Sequence, residues 1–582
     1  MKRALLLIFL LCVAHLCEFS QTAISPPVDQ INGPIRQKPL GTLDVIVTGD
    51  DGKPVADAPV SISRFGVQGA PRGGSTDESG AYHVANLPVG VYHINVFVPG
   101  FIVSPESGSD EFRSYHTGET ANIQLVSGGV ITGTVTDRDG NPIVGITVAA
   151  VRVRESGDTN SVFGYGRPRQ TDDRGIYRLY GLSPGKYIVF AGGRAEFGSS
   201  RTTPFDRDAP TFFPSSTRET ASRVTVLQGQ EYSGIDIRYR NEPGFQVSGT
   251  ISGAAAKNVR LALTPLGKTE VVAGTGQFDQ EDQRSFVFSG VPAGTYRLTA
   301  RGSDEKFKSV AAGYVSTVKV QGIDVNGLDL RLSPLATISG RIVFDPAAQT
   351  KCERSPIGSE SISLELRSEK RDGDDVFTIL APPNEISVSS QGEFQGSGVA
   401  AGKYRLQALL ARNNLYVRSI LRPGTASGAK PPTVAGGPTD SFSFSSGERI
   451  GGLIVNIQQD GGSIGGSLSG LDGAPATPFG LHIYLVPAEK ERVDDTLRYS
   501  ELVPNADGGF FFPNLAPGKY FLTSRILLEP LNPARPLTWD TKQRAKLVDD
   551  AKAANVSVEL KPCQAIRDYQ LLVSADGSIK TK

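Results

Sequence analysis

Hydrophobic and polar residues alternate in short runs along most of the chain. In the clearest case Tyr177 and Leu179 alternate with polar neighbours, Ser183-Pro184-Gly185 follows, and Tyr187 and Val189 begin a second alternating run. A period of two is typical of a half-buried β-strand, and a Pro-Gly pair is typical of a tight turn. The pattern therefore predicts two strands joined as a β-hairpin.

This pattern occurs five times. Each copy has a tyrosine two residues after a glycine, an aromatic residue ten positions before the tyrosine, and an aliphatic residue five positions before it. The tyrosines are Tyr92, Tyr187, Tyr296, Tyr404 and Tyr520; the aromatic residues are Tyr82, Tyr177, Phe286, Phe394 and Phe510; the aliphatic residues are Leu87, Leu182, Val291, Val399 and Leu515. Such repetition predicts a tandem array of similar modules.

Each copy is preceded by an opening strand and followed by an alternating closing strand. In the last four copies a glycine lies inside the opening strand, at Gly133, Gly249, Gly340 and Gly466. Glycine weakens a strand unless another backbone approaches closely or the strand bulges, so we expect one of these at each position.

The fold class that we predict is all-β, with about five β-sandwich modules in tandem. A module of about 100 residues is large enough to bury its own core. The predicted segments are a signal peptide at 1–23, a disordered lead at 24–40, modules at 41–126, 128–240, 244–333, 336–459 and 461–573, and a loose polar tail at 574–582.

One helix is predicted, at 540–554 in the last module. Asp540 is its expected N-cap, and Ala545, Val548 and Ala551 share one face. The only tryptophan, Trp539, is expected to pack against this helix.

The charge balance and the N-terminal sequence indicate where in the cell the protein is located. Lys+Arg and Asp+Glu both number 60, so nothing draws the whole chain to nucleic acid. The basic Lys2-Arg3 pair and the apolar run after it are typical of a secretory signal peptide. We expect an exported chain, periplasmic or extracellular, with no membrane span once the signal is removed.

Cys352 and Cys563 are the two cysteines outside the predicted signal peptide. An oxidising compartment permits a disulfide between them, which would tie the fourth module to the C-terminal segment. The alternative is two separate thiols, because spacing does not show whether the two Cα atoms approach within bonding range.

Three motifs resemble catalytic or metal sites only in part. His116 and Glu119 have the spacing of some zinc ligands, but the third ligand is missing. Ser463 lies in a Gly-x-Ser-x-Gly match that overlaps an opening strand. The run 137–141 resembles a calcium loop but is better interpreted as an Asp-Gly turn. We predict no catalytic residue, no metal site and no cofactor.

Long loops at 161–169 and 194–218 carry the best binding candidates. Phe163, Tyr165, Phe212 and Phe213 lie there among polar residues, and exposed rings of this kind stack on sugars or anchor a protein partner. The alternative interpretation is that these rings cap the edge of a sandwich.

The motifs Gly-x-Val-x-Asp-x-x-Gly-x-Pro, Thr-Asp-x-x-Gly-x-Tyr and Leu-x-Pro-Gly-x-Tyr, at 133–142, 171–177 and 182–187, resemble the carboxypeptidase regulatory-like domain. The resemblance is strong in the first two modules and partial in the other three. It implies transthyretin-like β-sandwiches in an exported bacterial protein, and related starch-binding-like domains imply carbohydrate binding. The chain resembles the accessory domain of a peptidase without the peptidase.

The function expected from these patterns is that of a non-enzymatic modular binding or scaffold protein of the cell envelope, with a role in adhesion. Its expected partner is an extracellular or periplasmic glycan or protein of unknown identity. A carbohydrate-binding protein is the first alternative, and an accessory region related to a peptidase or hydrolase is the second.

Overall fold

The structure is a computed structural model. It describes residues 40–581 except for 65–70, 89, 105–113, 154–167, 194–202, 267–276, 279–283, 306–307, 346–357, 360–361, 370–383, 390, 411–413, 423–439, 472–476, 479, 505–507 and 528–535. The described part is an all-β array with one short α-helix near its C-terminal end, which confirms the predicted fold class. We number the modules 1 to 5 in chain order.

Module 1 forms two four-stranded sheets, with orders β4-β1-β8-β6 and β3-β2-β5-β7. Leu43, Val45 and Val47 point inward from the first strand and are fully buried. Its strands are β1 (Leu40–Thr48), β2 (Pro59–Arg64), β3 (Arg72–Ser75), β4 (Ala81–Pro88), β5 (Val91–Val96), β6 (Phe101–Val103), β7 (Ser114–His116) and β8 (Thr120–Ser127).

Module 2 also forms two sheets, one around the pair β10-β13 and the other around β9. A 3₁₀ turn, Pro204–Arg207, follows the strand that carries Tyr187. Its strands are β9 (Gly129–Thr136), β10 (Thr147–Val153), β11 (Arg169–Gln170), β12 (Ile176–Leu182), β13 (Gly185–Ala191), β14 (Thr211–Phe212), β15 (Arg223–Val226), β16 (Glu231–Tyr232) and β17 (Ile237–Arg238).

Module 3 forms one continuous path of strands, in the order β19-β22-β23-β24-β18-β21-β20. Because β23 pairs with both β22 and β24, it connects the two layers. The strands are β18 (Phe245–Gly253), β19 (Asn258–Pro265), β20 (Gln277–Phe278), β21 (Ser285–Val291), β22 (Gly294–Ser303), β23 (Ser309–Val320) and β24 (Val325–Pro334).

Module 4 is likewise one path, in the order β30-β32-β25-β28-β27-β26-β29-β31. Here β27 connects the layers, since it pairs with β26 and with β28. The strands are β25 (Ala336–Asp345), β26 (Ile362–Ser368), β27 (Asn384–Val388), β28 (Glu393–Val399), β29 (Gly402–Leu410), β30 (Tyr416–Leu421), β31 (Ser441–Phe444) and β32 (Arg449–Gln458).

Module 5 has the sheets β36-β33-β39-β40 and β35-β34-β37-β38, and it carries helix α1 (Thr541–Ala554). Its strands are β33 (Gly462–Gly470), β34 (Leu481–Pro487), β35 (Ser500–Leu502), β36 (Gly509–Leu515), β37 (Gly518–Ile526), β38 (Val556–Leu560), β39 (Ala565–Val573) and β40 (Ile579–Thr581). The last strand lies in the predicted loose tail. That prediction is wrong here, because β40 pairs with β39 and Ile579 is buried.

The predicted β-hairpin of module 2 is also wrong. β12 pairs with β9 and β13 pairs with β10, so the two consecutive strands belong to opposite sheets. Tyr177 and Tyr187 meet in one core from opposite sides. The other four modules place the equivalent strands in the same way. Alternation shows which face of a strand is buried but does not identify its partner strand.

The repeated tyrosine holds the crossover between the two sheets. In four modules its hydroxyl donates to the carbonyl four residues earlier, at 2.7–2.9 Å: Tyr92 to Pro88, Tyr187 to Ser183, Tyr296 to Pro292 and Tyr520 to Ala516. Burial raises the pKa of Tyr92, Tyr296 and Tyr520, so these hydroxyls stay protonated and available as donors.

The opening-strand glycines allow the close approach that the sequence predicted. A Cβ on Gly133 would lie 2.1 Å from the carbonyl oxygen of Ile235 on the closing segment, and a Cβ on Gly466 would lie 1.8 Å from that of Tyr569. The parallel pairing shifts register beside Gly249, Gly340 and Gly466, so a bulge accompanies the approach there. Module 1 has Val45 at this position, and its parallel pairing is regular.

Helix α1 begins and ends as predicted. The Asp540 side chain accepts from the N–H groups of Lys542 and Gln543, and Asn555 ends the helix in a left-handed conformation. The buried face contains Arg544, Leu547, Val548 and Ala551, whereas Ala545 is exposed. The predicted face was therefore wrong at Ala545, because Leu547 lies on the buried face and Ala545 does not.

Candidate functional site

Consecutive modules are connected by a backbone hydrogen bond that is repeated four times. The residue just before each opening strand donates its N–H to a carbonyl of the preceding module, in the segment that follows the strand of the repeated tyrosine. The bonds are Gly128 to Gly100 at 2.8 Å, Gly244 to Arg207 at 3.0 Å, Leu335 to Val310 at 2.9 Å and Gly461 to Asn414 at 2.9 Å. We call each of these contacts a joint.

A left-handed residue lies beside each joint, six positions before the repeated tyrosine. These residues are Gly181 (φ 70°), Gly290 (φ 73°), Gly398 (φ 81°) and Asn514 (φ 58°). The antiparallel pairing shifts register at each of them, so each forms a β-bulge. The bulge turns the end of its strand toward the preceding module.

The bulges contact the preceding module directly. A Cβ on Gly290 would lie 2.7 Å from the carbonyl oxygen of Asp206 in module 2, so only glycine fits there without movement. The carbonyl of Gly398 accepts from Arg301 of module 3 at 2.7 Å. The amide of Asn514 donates to the carbonyl of Leu415 in module 4 at 2.9 Å.

The joint between modules 4 and 5 also contains a buried cation. Arg405 of module 4 is 8% exposed and pairs with Asp440 at 2.7 Å and with Glu369 at 3.0 Å. Its guanidinium lies 5.3 Å from the ring centre of Trp539 in module 5. Thr496 of module 5 donates to Asp440 at 2.8 Å. Side chains of both modules therefore neutralise and surround this charge.

A second charged group lies on the module 5 side of this joint. Burial raises the pKa of Asp495, while Arg498 and Arg492 oppose that change. Asp440 across the joint raises it further. Burial also raises the pKa of Tyr416 to about 12, and its hydroxyl donates to Gln458 at 3.1 Å. Asp495 and Tyr416 are therefore buried and paired with neighbouring side chains, so they stabilise the joint and do not form an accessible reactive site.

Two of the four aromatic candidates lie outside the described residues, namely Phe163 and Tyr165. Phe212 is 3% exposed, and its ring lies 5.3 Å from that of Phe190. Phe213 packs, partly buried, against the core of module 2. The rings of Phe212 and Phe213 therefore contribute to packing rather than to an exposed platform.

The three partial motifs occupy ordinary structural positions. Ser463 lies inside strand β33 and is 6% exposed, where a nucleophile elbow would need a strand-to-helix turn. Asp137 accepts from the N–H groups of Asp139 and Asn141, which forms the expected Asp-Gly turn. His116 lies in β7, and Glu119 is exposed.

Other chemistry is limited in the described part of the chain. It contains no group of three or more His, Cys, Asp or Glu side chains that could hold a metal ion. A cavity of about 410 Å³ in module 4 is lined by Glu369, Lys403 and Ser443, among others. Glu369 already forms an ion pair with Arg405 and accepts a hydrogen bond from Ser441, so this carboxylate belongs to the joint. No helix among the described residues is long and apolar enough to cross a membrane.

Cys563 forms a disulfide in the structure. It has a left-handed backbone (φ 59°), and its N–H donates to the carbonyl of Asp460, next to the joint between modules 4 and 5. Cys352 lies outside the described residues. The pairing of Cys352 with Cys563 stays a prediction, and peptide mapping without reduction is the measurement that tests it.

The joints were not predicted from the sequence, although the left-handed residues have a visible sequence signal. Position six before each repeated tyrosine is always Asn or Gly: Asn86, Gly181, Gly290, Gly398 and Asn514. These are the residues that adopt a left-handed conformation at least cost. The Arg405 network had no such signal, because its partners are far apart in sequence and the network is not part of the repeated pattern.

Comparison with known proteins gives similarity to solved structures alone. No protein-family model matches the chain, and no curated protein matches it. The Bacillus anthracis TIE protein is 14% identical over 50% of this chain and 51% of that chain, with a TM-score of 0.14. This chain therefore spans about half the length of that protein.

Two pilins give similar values. GBS52, the minor pilin of Streptococcus agalactiae, is 13% identical over 33% of this chain and 93% of its own, with a TM-score of 0.18. BcpA, the major pilin subunit of Bacillus cereus, is 13% identical over 50% of this chain and 99% of its own, with a TM-score of 0.13. Similarity at this level assigns no function, and the resemblance to the carboxypeptidase regulatory-like domain stays a prediction.

Proposed function

We propose that the chain is an exported, non-enzymatic scaffold that holds variable loops at set distances for binding a glycan or a protein of the cell envelope. The observation that carries this proposal is the joint, which occurs four times with the same donor position and a distance of 2.8–3.0 Å. A flexible linker would need no such contact. Repeated modules in a set arrangement supply reach and several simultaneous contacts to a partner.

The described side chains support a role without catalysis. The buried ionisable groups at the joint of modules 4 and 5 are paired with each other. The partial catalytic motif at Ser463 is inside a strand. What varies between modules is the length of the loops, and loops are where a scaffold most often carries its binding residues.

The spacing role is tested by a distance measurement between modules 2 and 3. Spin labels at Thr225→Cys and Gln321→Cys, both exposed, report the distance across the joint. We expect one narrow distribution in the parent chain and a broad one after Gly290→Val, which places a branched side chain against Asp206. A broad distribution in the parent chain would contradict a scaffold with set spacing.

The binding role is tested by capture from envelope and polysaccharide fractions. Variants that lack 161–169 or 194–218 are compared with the parent chain. Loss of one captured glycan or protein with one loop would locate the site, and capture of nothing would leave spacing as the only function supported.

Carbohydrate binding remains the first alternative, and it rests on the resemblance to starch-binding-like domains. The candidate residues for it are Phe163 and Tyr165, since Phe212 and Phe213 are packed into module 2. A glycan array with the parent chain and with Phe163→Ala/Tyr165→Ala tests it. Binding that the double substitution removes would favour this alternative, and an array without signal would count against it.

A further inference from the structure

The connection between modules 2 and 3 is longer than the other three connections. One residue, Gly128, separates the last strand of module 1 from the first strand of module 2, and Leu335 alone separates modules 3 and 4 in the same way. Three residues, 459–461, connect modules 4 and 5, whereas six, 239–244, connect modules 2 and 3. A connection of this length does not by itself fix the angle between two modules.

A segment of module 2 lies along this connection. The segment is residues 203–219, which contain the 3₁₀ turn and strand β14, and we call it the splint. Asp208 and Pro243 form an antiparallel bridge, so the splint pairs with the connection as a neighbouring strand would. Three backbone hydrogen bonds join the splint to the end of β17 and to the connection: Arg238 to Pro214 at 2.8 Å, Ala209 to Glu242 at 2.9 Å and Gly244 to Arg207 at 3.0 Å.

Tyr239, the first residue of the connection, is fixed to the splint through its side chain. It is 2% exposed, its hydroxyl donates to Asp208 at 2.8 Å, and its ring lies edge-on to Phe205 with the ring centres 5.8 Å apart. Burial raises the pKa of Tyr239, so the hydroxyl keeps its proton and remains a donor. A charge-assisted hydrogen bond and an aromatic contact therefore hold the start of the connection.

The splint contacts module 3 as well. The left-handed Gly290 packs against its backbone, since a Cβ there would lie 2.7 Å from the carbonyl oxygen of Asp206. Burial raises the pKa of Tyr296 in module 3, the charge of Glu219 raises it further, and the charge of Arg218 lowers it. Glu219 and Arg218 therefore lie near the repeated tyrosine of module 3, so two parts of the splint are close to that module.

We infer that the splint locks a hinge between modules 2 and 3. The hinge is the connection 239–244, and the splint holds it in one conformation by pairing with it and by supporting Gly290. This inference rests on the proposed scaffold function, because a lock matters only where the spacing of modules is set. It goes further by naming a place where the array bends once the splint is released, and by giving residues 203–219 a structural role.

The double substitution Ala209→Pro/Tyr239→Phe releases the splint with little other change. Proline at position 209 removes the N–H that donates to Glu242, and Asp208 before it is already extended (φ −86°, ψ 153°), as the residue before a proline prefers to be. Phenylalanine at position 239 keeps the ring and removes the bond to Asp208. Tyr187→Phe is the matched control, because its hydroxyl bond lies inside module 2.

Dipolar spectroscopy tests the inference with two pairs of spin labels. Labels at Thr225→Cys and Gln321→Cys span modules 2 and 3, and labels at Gln321→Cys and Gln391→Cys span modules 3 and 4; all three residues are exposed. We expect the width of the first distance distribution to increase about twofold or more in the double variant, and the width of the second to stay unchanged. Tyr239→Phe alone should give a smaller increase, and Tyr187→Phe none.

Protection of the β10 amides from hydrogen exchange shows whether module 2 is folded in each variant. If the double variant unfolds module 2, Tyr239→Phe alone decides, and no broadening beyond that of Tyr187→Phe contradicts the splint. A narrow first distribution in both the parent chain and the folded double variant would overturn the splint and leave the scaffold function intact. Equal broadening of both distributions in the double variant would mean that the effect is not local to the hinge.

The parent chain separates this inference from the scaffold function on which it rests. A parent chain that is broad between modules 2 and 3 but narrow between modules 3 and 4 would overturn the lock, because the splint would not hold its hinge. A parent chain that is broad across both joints would contradict the scaffold function itself, and the splint with it.

Discussion

Two joints can be compared directly, the one between modules 1 and 2 and the one between modules 4 and 5. Each contains one backbone hydrogen bond between its modules, but the surroundings of that bond differ. Around the first, the chain approaches itself so closely that a Cβ on Gly128 would lie 2.6 Å from the Cα of Gly181. Around the second, Arg405 lies between two carboxylates and the ring of Trp539.

This difference shows that the backbone bond sets the position of a joint and the side chains set its strength. Glycines allow close backbone contact, but they contribute no side chain whose removal would lower the stability of the joint. A buried ion pair adds little when complete, because desolvation offsets the attraction, but the removal of one partner leaves an uncompensated charge. The joint of modules 4 and 5 should therefore be the more sensitive of the two to substitution.

The largest effect is expected for Arg405→Met. The substitution keeps much of the side-chain volume but leaves the buried Asp440 and the partly buried Glu369 without their cation. We expect the free energy of unfolding of modules 4 and 5 to fall by about 3–5 kcal/mol. Because Trp539 is the only tryptophan and lies in this joint, its fluorescence during urea denaturation reports the change.

The matched control is Arg418→Met in the same module. Arg418 pairs with Asp345 at 3.2 Å, but its side chain is 59% exposed. An exposed pair of this kind contributes about 0–1 kcal/mol. Equal effects of the two substitutions would contradict the view that burial makes the Arg405 joint sensitive.

The joint of modules 1 and 2 should respond to backbone conformation instead. Gly181 has a φ of 70°, which a β-branched residue adopts only with strain. We expect Gly181→Val to lower the stability of this joint by about 1–3 kcal/mol. Hydrogen exchange of the Gly128 amide, which forms the joint bond, is the measurement.

Gly181→Asn distinguishes the effect of the left-handed backbone conformation from the effect of limited space for a side chain at position 181. Asn86 and Asn514 adopt the same left-handed backbone in modules 1 and 5, so asparagine should be tolerated at position 181. We expect the exchange rate of the Gly128 amide to stay within about twofold of the parent chain, a change well below 1 kcal/mol. If asparagine were as disruptive as valine, space and not conformation would limit this position.

A change inside a module should leave both joints intact. Tyr187→Phe removes the hydroxyl that donates to the Ser183 carbonyl at 2.7 Å. We expect module 2 to lose about 1 kcal/mol, from one hydrogen bond. Exchange of the β13 amides should accelerate, while Trp539 fluorescence stays unchanged. A change in that fluorescence would mean that the modules are coupled more tightly than single joints allow.

The sequence predicted the strands and the repeat, because burial on one face leaves a period of two at positions such as Tyr177 and Leu179. It did not predict which strands pair: the Pro184-Gly185 turn fits a hairpin and a crossover between sheets equally well. The sequence also did not show that Phe212 is buried, since an aromatic ring among polar residues suits a core edge and an open surface alike.

The contacts of Arg405 at the joint of modules 4 and 5 could not be predicted from the sequence for a further reason. Arg405 and Asp440 are 35 positions apart in the sequence, and Thr496 and Trp539 come from the next module. Nothing in the local pattern of any one of them indicates a buried charge. Trp539 was expected to pack with the helix, and it is buried just before α1, but its contact with Arg405 crosses to another module.

The smallest effect is expected from a change of pH. Its sign should be opposite for Asp495 at the joint of modules 4 and 5 and for Asp172 in a turn of module 2. Burial raises the pKa of Asp495 above its ordinary value of 3.8, so its protonation favours the folded state. Its contribution to stability is full below pH 3.8 and is lost as the pH rises through the higher folded-state pKa. In module 2 the N–H of Ile176 lowers the pKa of Asp172, whose contribution is present above 3.8 and lost as the pH falls through the lower folded-state pKa.

Trp539 fluorescence in urea, measured from about pH 6 down to pH 4, isolates the Asp495 contribution when the parent chain is compared with Asp495→Asn. The parent chain should gain stability relative to the variant as the pH falls, because only the parent can take up the proton. Asp494→Asn changes the neighbouring exposed carboxylate and should follow the parent. If the parent instead lost stability relative to Asp495→Asn on acidification, the pairing with Arg498 would outweigh burial at this joint, and the carboxylate would behave like Asp172 in module 2.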